Sequence, residues 1–162
     1  MSTNSIRATG WAQTFPVADG VRASRHWTRT HLDTLGWNQW APDVADAVEL
    51  TVSELVTNAH LHAHSAAQLV MTWDNRYLYV SVHDASHHLP TAPTPEDPDD
   101  TSENPDDDLA LGGRGIILVD ALTDAWGIQR QAAGKTITAV FRGPIALHCD
   151  PPCPPTSGRK CP

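Results

Sequence analysis

Glu54 and Asn58 are four residues apart in a segment whose apolar spacing predicts a helix, so their side chains lie on one face, one turn apart. The same face continues to His62. A carboxylate accepts a proton from a hydroxyl or water, and an amide oxygen binds a hard cation such as Mg²⁺. The pair therefore suits a magnesium-nucleotide site, although glutamate and asparagine at this spacing are also common on solvated helix faces.

Asp84 lies where an apolar segment ends and the chain must turn. A carboxylate there can accept a hydrogen bond from an exocyclic amine, which would select an adenine ring. Aspartate is also a common turn-forming residue. Both interpretations fit the local sequence.

A glycine-rich run at residues 112–115 (GGRG) leads directly into the apolar segment that begins at Ile116. Glycines let a backbone approach a ligand closely, and the amides at a helix N-terminus point towards an anion. The run therefore predicts a phosphate cradle. It differs from the Walker pattern, in which lysine and serine or threonine follow the glycines.

The elements that must position these residues are those of an α/β domain. Apolar stripes predict helices, whereas alternation interrupted by turn-forming residues predicts strands. The predicted helices cover residues 19–35, 42–63 and 113–122, and the predicted strands cover residues 9–16, 67–73, 77–84, 126–131 and 135–142. The second and third strands form one expected hairpin, and the last two form another.

In the first predicted helix we expect Val21, Trp27, Leu32 and Leu35 to face the core, with Arg29 among the residues available to water. A short connection that contains two tryptophans leads to the second helix. That helix begins near Pro42, which is a favourable first-turn residue.

The chain has 162 residues, the size of one domain. Its net charge of −8 arises from residues 90–108, which carry eight acids and no base, so the remaining 11 acids balance the 11 bases. A neutral body with an acidic insert offers no basic surface for a phosphate backbone, which disfavours direct nucleic-acid binding. No apolar run approaches the roughly 20 residues that cross a bilayer. We therefore expect a cytoplasmic protein with no membrane association.

All three cysteines, Cys149, Cys153 and Cys161, lie in the last fourteen residues, so no disulfide can link the body of the domain. Proline is concentrated in residues 90–108 and 144–162. We expect residues 1–8 to be a flexible N-terminus, residues 9–142 to form the domain, and residues 143–162 to be a disordered tail.

Four motifs, taken in order, resemble those of the histidine kinase-like ATPase superfamily, whose members share the Bergerat (GHKL) nucleotide-binding fold. Residues 54–59 (ELVTNA) resemble the family's N box, and residues 84–86 (DAS) resemble its first glycine box. Residues 113–116 (GRGI) resemble the second glycine box, and residues 134–136 (GKT) resemble the closing element before the last strand. The resemblance covers most of residues 10–142.

This resemblance implies a two-layer α/β sandwich with a mixed, mainly antiparallel sheet that helices cover on one face. It also implies ATP and Mg²⁺ as ligands. Residues 90–111 occupy the place of the family's mobile ATP lid, which accounts for an acidic, proline-rich insert between the two glycine boxes.

The resemblance also assigns roles to single residues. Glu54 would be the catalytic general base, Asn58 would coordinate Mg²⁺, and Asp84 would bind the adenine amine. The other implied nucleotide-binding positions are Ser86, where the family usually has glycine, then Gly113, Arg114, Gly115 and finally Thr136, which would hold Asp84.

Within the superfamily, a short chain without a dimerisation helix, transmembrane segment or receiver domain resembles the stand-alone anti-sigma-factor serine kinases and related small ATP-binding regulators of actinobacteria. That similarity implies a kinase that binds a sigma factor and phosphorylates an anti-sigma-factor antagonist, and a homodimer is compatible with it. The alternative is a non-catalytic ATP-binding partner-switch module.

The histidines suggest a further alternative, because His60 and His64 are four apart, a spacing that can chelate zinc. The HExxH motif is absent, however, and we expect solvated or phosphate-facing histidines instead. In the tail, His148, Cys149 and Cys153 match no common zinc-finger spacing.

Overall fold

The computed structural model describes residues 8–87 and 109–144, which form a sheet with helices packed on one face. The five strands are β1 (Thr9–Phe15), β2 (Ala67–Trp73), β3 (Tyr77–Asp84), β4 (Ala125–Gln131) and β5 (Gly134–Arg142). The four helices are α1 (Gly20–Thr34), α2 (Trp37–Trp40), α3 (Pro42–Ala63) and α4 (Leu109–Leu122).

The strands form one sheet in the order β1-β2-β3-β5-β4, and all four pairings are antiparallel. The predicted two-layer α/β sandwich is therefore confirmed. Both expected hairpins are present. In the first, the Asp74 carboxylate accepts hydrogen bonds from the backbone N–H groups of Tyr77 at 2.6 Å and Arg76 at 2.9 Å. These bonds lower the pKa of Asp74 and fix the turn between β2 and β3.

Helix α3 lies across the middle of the sheet and supplies the largest part of the helical core. Pro42 occupies its first turn, as the sequence predicts. Its buried apolar stripe packs against β2, β3 and β5 and consists of Val48, Val52, Leu55, Val56 and Ala59. Full burial of a valine or leucine side chain contributes about 1.5–3 kcal/mol, so this stripe fixes the helix on the sheet.

The apolar residues expected to face the core from α1 do so: Leu32 is buried, and the partly buried residues that pack against the core are Val21, Trp27 and Leu35. The sequence did not indicate that the small residues Gly20, Ser24 and Thr28 are also buried. At Gly20 an added Cβ would lie 2.6 Å from Cε1 of His60 on α3. Small side chains let the two helices approach closely.

Arg29 on α1 is solvent-accessible, as expected, but it also holds a buried partner. Its guanidinium donates two hydrogen bonds to the Glu49 carboxylate on α3, at 2.7 and 2.9 Å. These bonds raise the pKa of Arg29. The pair supplies a counter-charge for Glu49, which is only 5% exposed.

The expected connection between the first two long helices contains the single-turn helix α2. Trp37 in this turn is buried and packs edge-on against Trp73 of β2, with 5.2 Å between the ring centroids. Residues 1–7, 88–108 and 145–162 lie outside the described ranges, so the expected flexible N-terminus, most of the acidic lid and nearly all of the tail stay predictions. Within the described ranges, none of the helices combines the length and apolar character needed to cross a membrane.

Candidate functional site

A small cavity lies between α3 and α4, and residues of the predicted N box and second glycine box line it. Glu54, Asn58 and His62 line it from α3, and Gly115 lines it from α4. Its volume is about 20 Å³, enough for about one water molecule. The helical spacing therefore places these side chains on one face, and the fold directs that face towards the second glycine box. We call this site the Asn58 cavity.

Asn58 places a buried polar group in the cavity. Both side-chain atoms, Oδ1 and Nδ2, are buried and have no hydrogen bond within the described residues. A buried polar group left unpaired costs about 1–3 kcal/mol. A buried amide oxygen one helical turn from a carboxylate is a suitable ligand for a hard cation. Asn58 Oδ1 is therefore available as one ligand for Mg²⁺.

Glu54 lies against the backbone of α4. A Cβ added to Gly115 would be 3.0 Å from Glu54 Oε2, closer than side chains normally approach. Glycine at this position leaves room for the carboxylate. The N box and the second glycine box are thus in direct contact across the helix pair.

The second glycine box differs from its predicted conformation. Helix α4 begins at Leu109 instead of Gly113, so Gly113, Arg114 and Gly115 belong to the helix and do not form a loop ahead of it. The preceding residues 109–111 (LAL) are good helix formers and extend the helix towards the N-terminus. The expectation of a cradle at the free helix N-terminus is therefore wrong for this conformation. The Arg114 side chain lies outside the described part of the structure.

Asp84 is buried at the end of β3, with 2% of its surface exposed. Its Oδ1 accepts a hydrogen bond from the backbone N–H of Ser86 at 2.8 Å, which fixes the turn. The same Oδ1 is 3.0 Å from Nζ of Lys135 on β5, whose side chain is 1% exposed. Asp84 is therefore a turn former, as one interpretation proposed, and also half of a buried ion pair. We call this contact the Asp84–Lys135 pair.

Thr136 does not hold Asp84, contrary to the expectation. Strand register places Lys135 opposite Asp84 and Thr136 opposite His83. The Thr136 hydroxyl lies 3.2 Å from His83 Nδ1 and 3.1 Å from Gln131 Nε2. Successive strand residues point to opposite faces of the sheet, so Thr136 and Asp84 face in opposite directions. Sequence reasoning missed Lys135, although a lysine two residues before Ile137 in the apolar alternation of β5 was a visible signal.

Gly134 permits the close approach of the last hairpin to the turn after β3. Its φ is +129°, and an added Cβ would lie 1.9 Å from the carbonyl oxygen of Asp84. Only glycine can occupy this position without displacing backbone. The closing motif thus contributes Gly134 and Lys135 to the environment of Asp84.

The segment that follows α3 lies beside the turn after Asp84. The backbone N–H of Ala85 is 3.5 Å from Oγ of Ser65, two residues after the end of the helix. Asn58 is seven residues before Ser65 in the chain. The predicted magnesium ligand is therefore close in sequence to a residue that lies beside the predicted adenine site.

The histidines of α3 have separate roles. His60 is 7% exposed, and its Nε2 donates to the carbonyl oxygen of Phe15 at 3.2 Å, so the expectation of a solvated or phosphate-facing ring is wrong for this residue. His64 is exposed and ends the helix with a φ of +47°. Among residues 8–87 and 109–144, no three metal-ligating side chains lie close enough to hold an ion.

A family model described as a histidine kinase-like ATPase domain matches residues 17–141. The chain belongs to the histidine kinase-like ATPase family. No curated protein matches it in sequence. Each motif of this histidine kinase-like ATPase domain falls inside the matched range, including Glu54, Asn58 and Asp84.

Proposed function

We propose that this protein binds ATP with Mg²⁺ and is a regulatory serine/threonine kinase of the anti-sigma-factor type, which binds a sigma factor and phosphorylates an anti-sigma-factor antagonist. The observation that carries the proposal is the unpartnered, buried side chain of Asn58 beside Glu54. A cation ligand and a proton acceptor on adjacent turns are two of the groups that magnesium-dependent phosphoryl transfer uses.

Each of these residues has a distinct task in the proposed reaction. Asn58 would hold the cation through its amide oxygen. Glu54 accepts the proton of the attacking serine or threonine hydroxyl. When bound, magnesium ATP would supply the γ-phosphoryl group, which would bond to the hydroxyl oxygen as its bond to ADP breaks and ADP leaves. Asp84 accepts a hydrogen bond from the adenine amine, so it orients the nucleotide from the other end of the site.

The first turns of α4 must change conformation for the backbone amides of the second glycine box to face a phosphate. In the helix these amides are directed along the helix axis to preceding carbonyl groups. Gly112, Gly113 and Gly115 each make helix less favourable than alanine would, by about 1 kcal/mol. The glycine content therefore favours unwinding of this segment when nucleotide binds.

Nucleotide binding is tested by thermal unfolding of the full chain with and without magnesium ATP. A ligand that binds only the folded state raises the melting temperature as its concentration increases. We expect such a shift with ATP, a smaller shift with GTP, and a loss of the magnesium-dependent part in Asn58→Ala. No shift at millimolar magnesium ATP would overturn the proposal.

Phosphoryl transfer is tested with labelled ATP and purified candidate antagonists encoded beside the gene. We expect Glu54→Gln to bind ATP as well as the parent does, or slightly better, because the change removes a negative charge near the phosphates. The same variant should lose transfer. Transfer at the parental rate would exclude Glu54 as the base. If the parent transfers no phosphoryl group but captures or releases a partner according to the bound nucleotide, the partner-switch function replaces the kinase function.

A further inference from the structure

In the Asp84–Lys135 pair, the hydrogen-bond donors bind one oxygen of the Asp84 carboxylate, which the proposed function does not explain. Lys135 Nζ at 3.0 Å and the Ser86 backbone N–H at 2.8 Å both bind Oδ1 of Asp84. Neither donor occupies Oδ2. The two side chains of the pair are 1% and 2% exposed, so water screens their interaction weakly.

Stability alone is a weak reason for a lysine at this position. Ile137, Ala139 and Phe141 follow on the same face of β5 and are all buried. An apolar pair of similar volume often replaces a buried ion pair without loss of stability. Lysine is also among the residues that are least often fully buried. An electrostatic effect of the Lys135 charge on the Asp84 carboxylate would explain why a lysine occupies this buried position.

We propose that Lys135 is a positioning residue that makes Asp84 selective for an exocyclic amine. The inference rests on the proposed nucleotide binding. The ammonium group supplies a counter-charge to the buried carboxylate, and it binds Oδ1 together with the backbone N–H of Ser86. An ionised carboxylate can only accept hydrogen bonds, so Oδ2 is an acceptor for the 6-amino group of adenine and repels the 6-oxo group of hypoxanthine.

Removal of the lysine charge should change this selectivity in a specific way. A buried carboxylate without a counter-charge binds a proton and becomes neutral. A protonated carboxyl group can both donate and accept, so it can pair with a 6-oxo group as well as with a 6-amino group. Lys135 therefore determines which base Asp84 accepts, although Lys135 itself does not need to touch the base.

The test compares the dissociation constants of ATP and inosine triphosphate, which differ at position 6 of the base, measured by calorimetry with Mg²⁺. For the parent we expect ATP to bind roughly 10- to 100-fold more tightly, the range for a hydrogen bond to a charged group. In Lys135→Met this ratio should fall to about 1–3. A purely structural role would weaken both nucleotides equally and leave the ratio unchanged.

Asp84→Asn provides the matched control, because Lys135 then has no carboxylate to position. Adding Lys135→Met to Asp84→Asn should change the ratio of the two dissociation constants by less than about twofold. If the two substitutions acted independently, the double variant would show the sum of their separate free-energy effects on that ratio. Thermal unfolding checks that each variant folds. If Lys135→Met does not fold, Lys135→Gln replaces it, since its amide still donates to Oδ1 but carries no charge.

The outcomes separate this inference from the proposed function. A parental ATP preference in the folded lysine variant overturns the role of Lys135 and leaves nucleotide binding in place. A parent that binds neither nucleotide overturns both. A preference that disappears in Lys135→Met and does not change further in the Asp84→Asn background supports the inference.

Discussion

Gly115 on α4 faces the Glu54 carboxylate on α3 so closely that even a methyl group would contact it, with 3.0 Å between the added Cβ and Oε2. The contact joins two motifs that are about sixty residues apart in the chain. The position of the proposed base, Glu54, therefore depends on having glycine, which has no side chain, at position 115 of the neighbouring helix.

Gly115→Ala should therefore affect the free energy of unfolding and the rate of phosphoryl transfer differently. Alanine favours helix over glycine by up to about 1 kcal/mol, so stability should stay the same or increase. The Glu54 carboxylate must move, and the rate of phosphoryl transfer should fall at least about tenfold because proton transfer depends on position. Denaturant unfolding and a transfer assay measure the two effects. A variant with the parental transfer rate would show that this contact does not position Glu54.

Asn58→Leu should stabilise the nucleotide-free protein and abolish the magnesium-dependent part of its response to ATP. Leucine has nearly the shape of asparagine but no polar atoms, so it removes a buried unpaired amide that costs about 1–3 kcal/mol. Thr51→Val is the matched control on the same helix, because Thr51 Oγ1 is also buried, has no hydrogen-bond partner in the part of the chain that the structure describes, and does not line the cavity. The valine variant should keep the full nucleotide response. Loss of that response in both variants would exclude a specific role for Asn58.

Gly134→Ala should destabilise the protein by about 2 kcal/mol or more. Its φ of +129° and the predicted overlap with the Asp84 carbonyl leave no space for a methyl group. Gly127→Ala in the same hairpin is the control, because an added Cβ there meets no atom within 4 Å. That change should alter the free energy of unfolding by about 0.5 kcal/mol or less. Urea denaturation of both variants compares them, and equal losses would contradict the steric argument.

His31 should make stability depend on pH through its contacts with two tryptophans. Its ring stacks on Trp11 at 4.7 Å and meets the edge of Trp27 at 4.4 Å, and burial lowers its pKa below the ordinary 6.5. The unfolded chain then binds the proton more tightly. The contribution of His31 to stability is therefore present above about pH 6.5 and is lost as the pH falls through its folded pKa.

The measurement for His31 is the free energy of unfolding at about pH 7.5 and at about pH 5. His31→Phe keeps an aromatic ring between the tryptophans but cannot titrate, so the pH-dependent loss of stability should be smaller in this variant. An equal loss in parent and variant would exclude His31 as its source.

The sequence by itself determined the two longest helices, the five strands and the shared face of the polar cavity residues, but not the short helix α2 or the start of α4. Periodicity predicted α3 to within its observed bounds, and alternation with turn residues predicted both hairpins, because these patterns report a local preference for one buried face. The spacing of Glu54 and Asn58 settled that they share a face, since helical geometry alone fixes that relationship. The order of the four motifs indicated the family that the comparison then showed.

Tertiary structure decided which residues meet. The sequence could assign Lys135 and Thr136 to opposite faces of a strand, but only the register with β3, fifty-one residues away, decided that Lys135 faces Asp84. The burial of His60, whose Nε2 donates to the carbonyl oxygen of Phe15, likewise depends on contacts between residues far apart in the chain. Helical and strand periodicity depend on neighbouring residues, so local sequence patterns could predict most helices and strands. Strand register and helix packing depend on the whole core at once, so the contacts of Lys135 and His60 could not be predicted from those patterns.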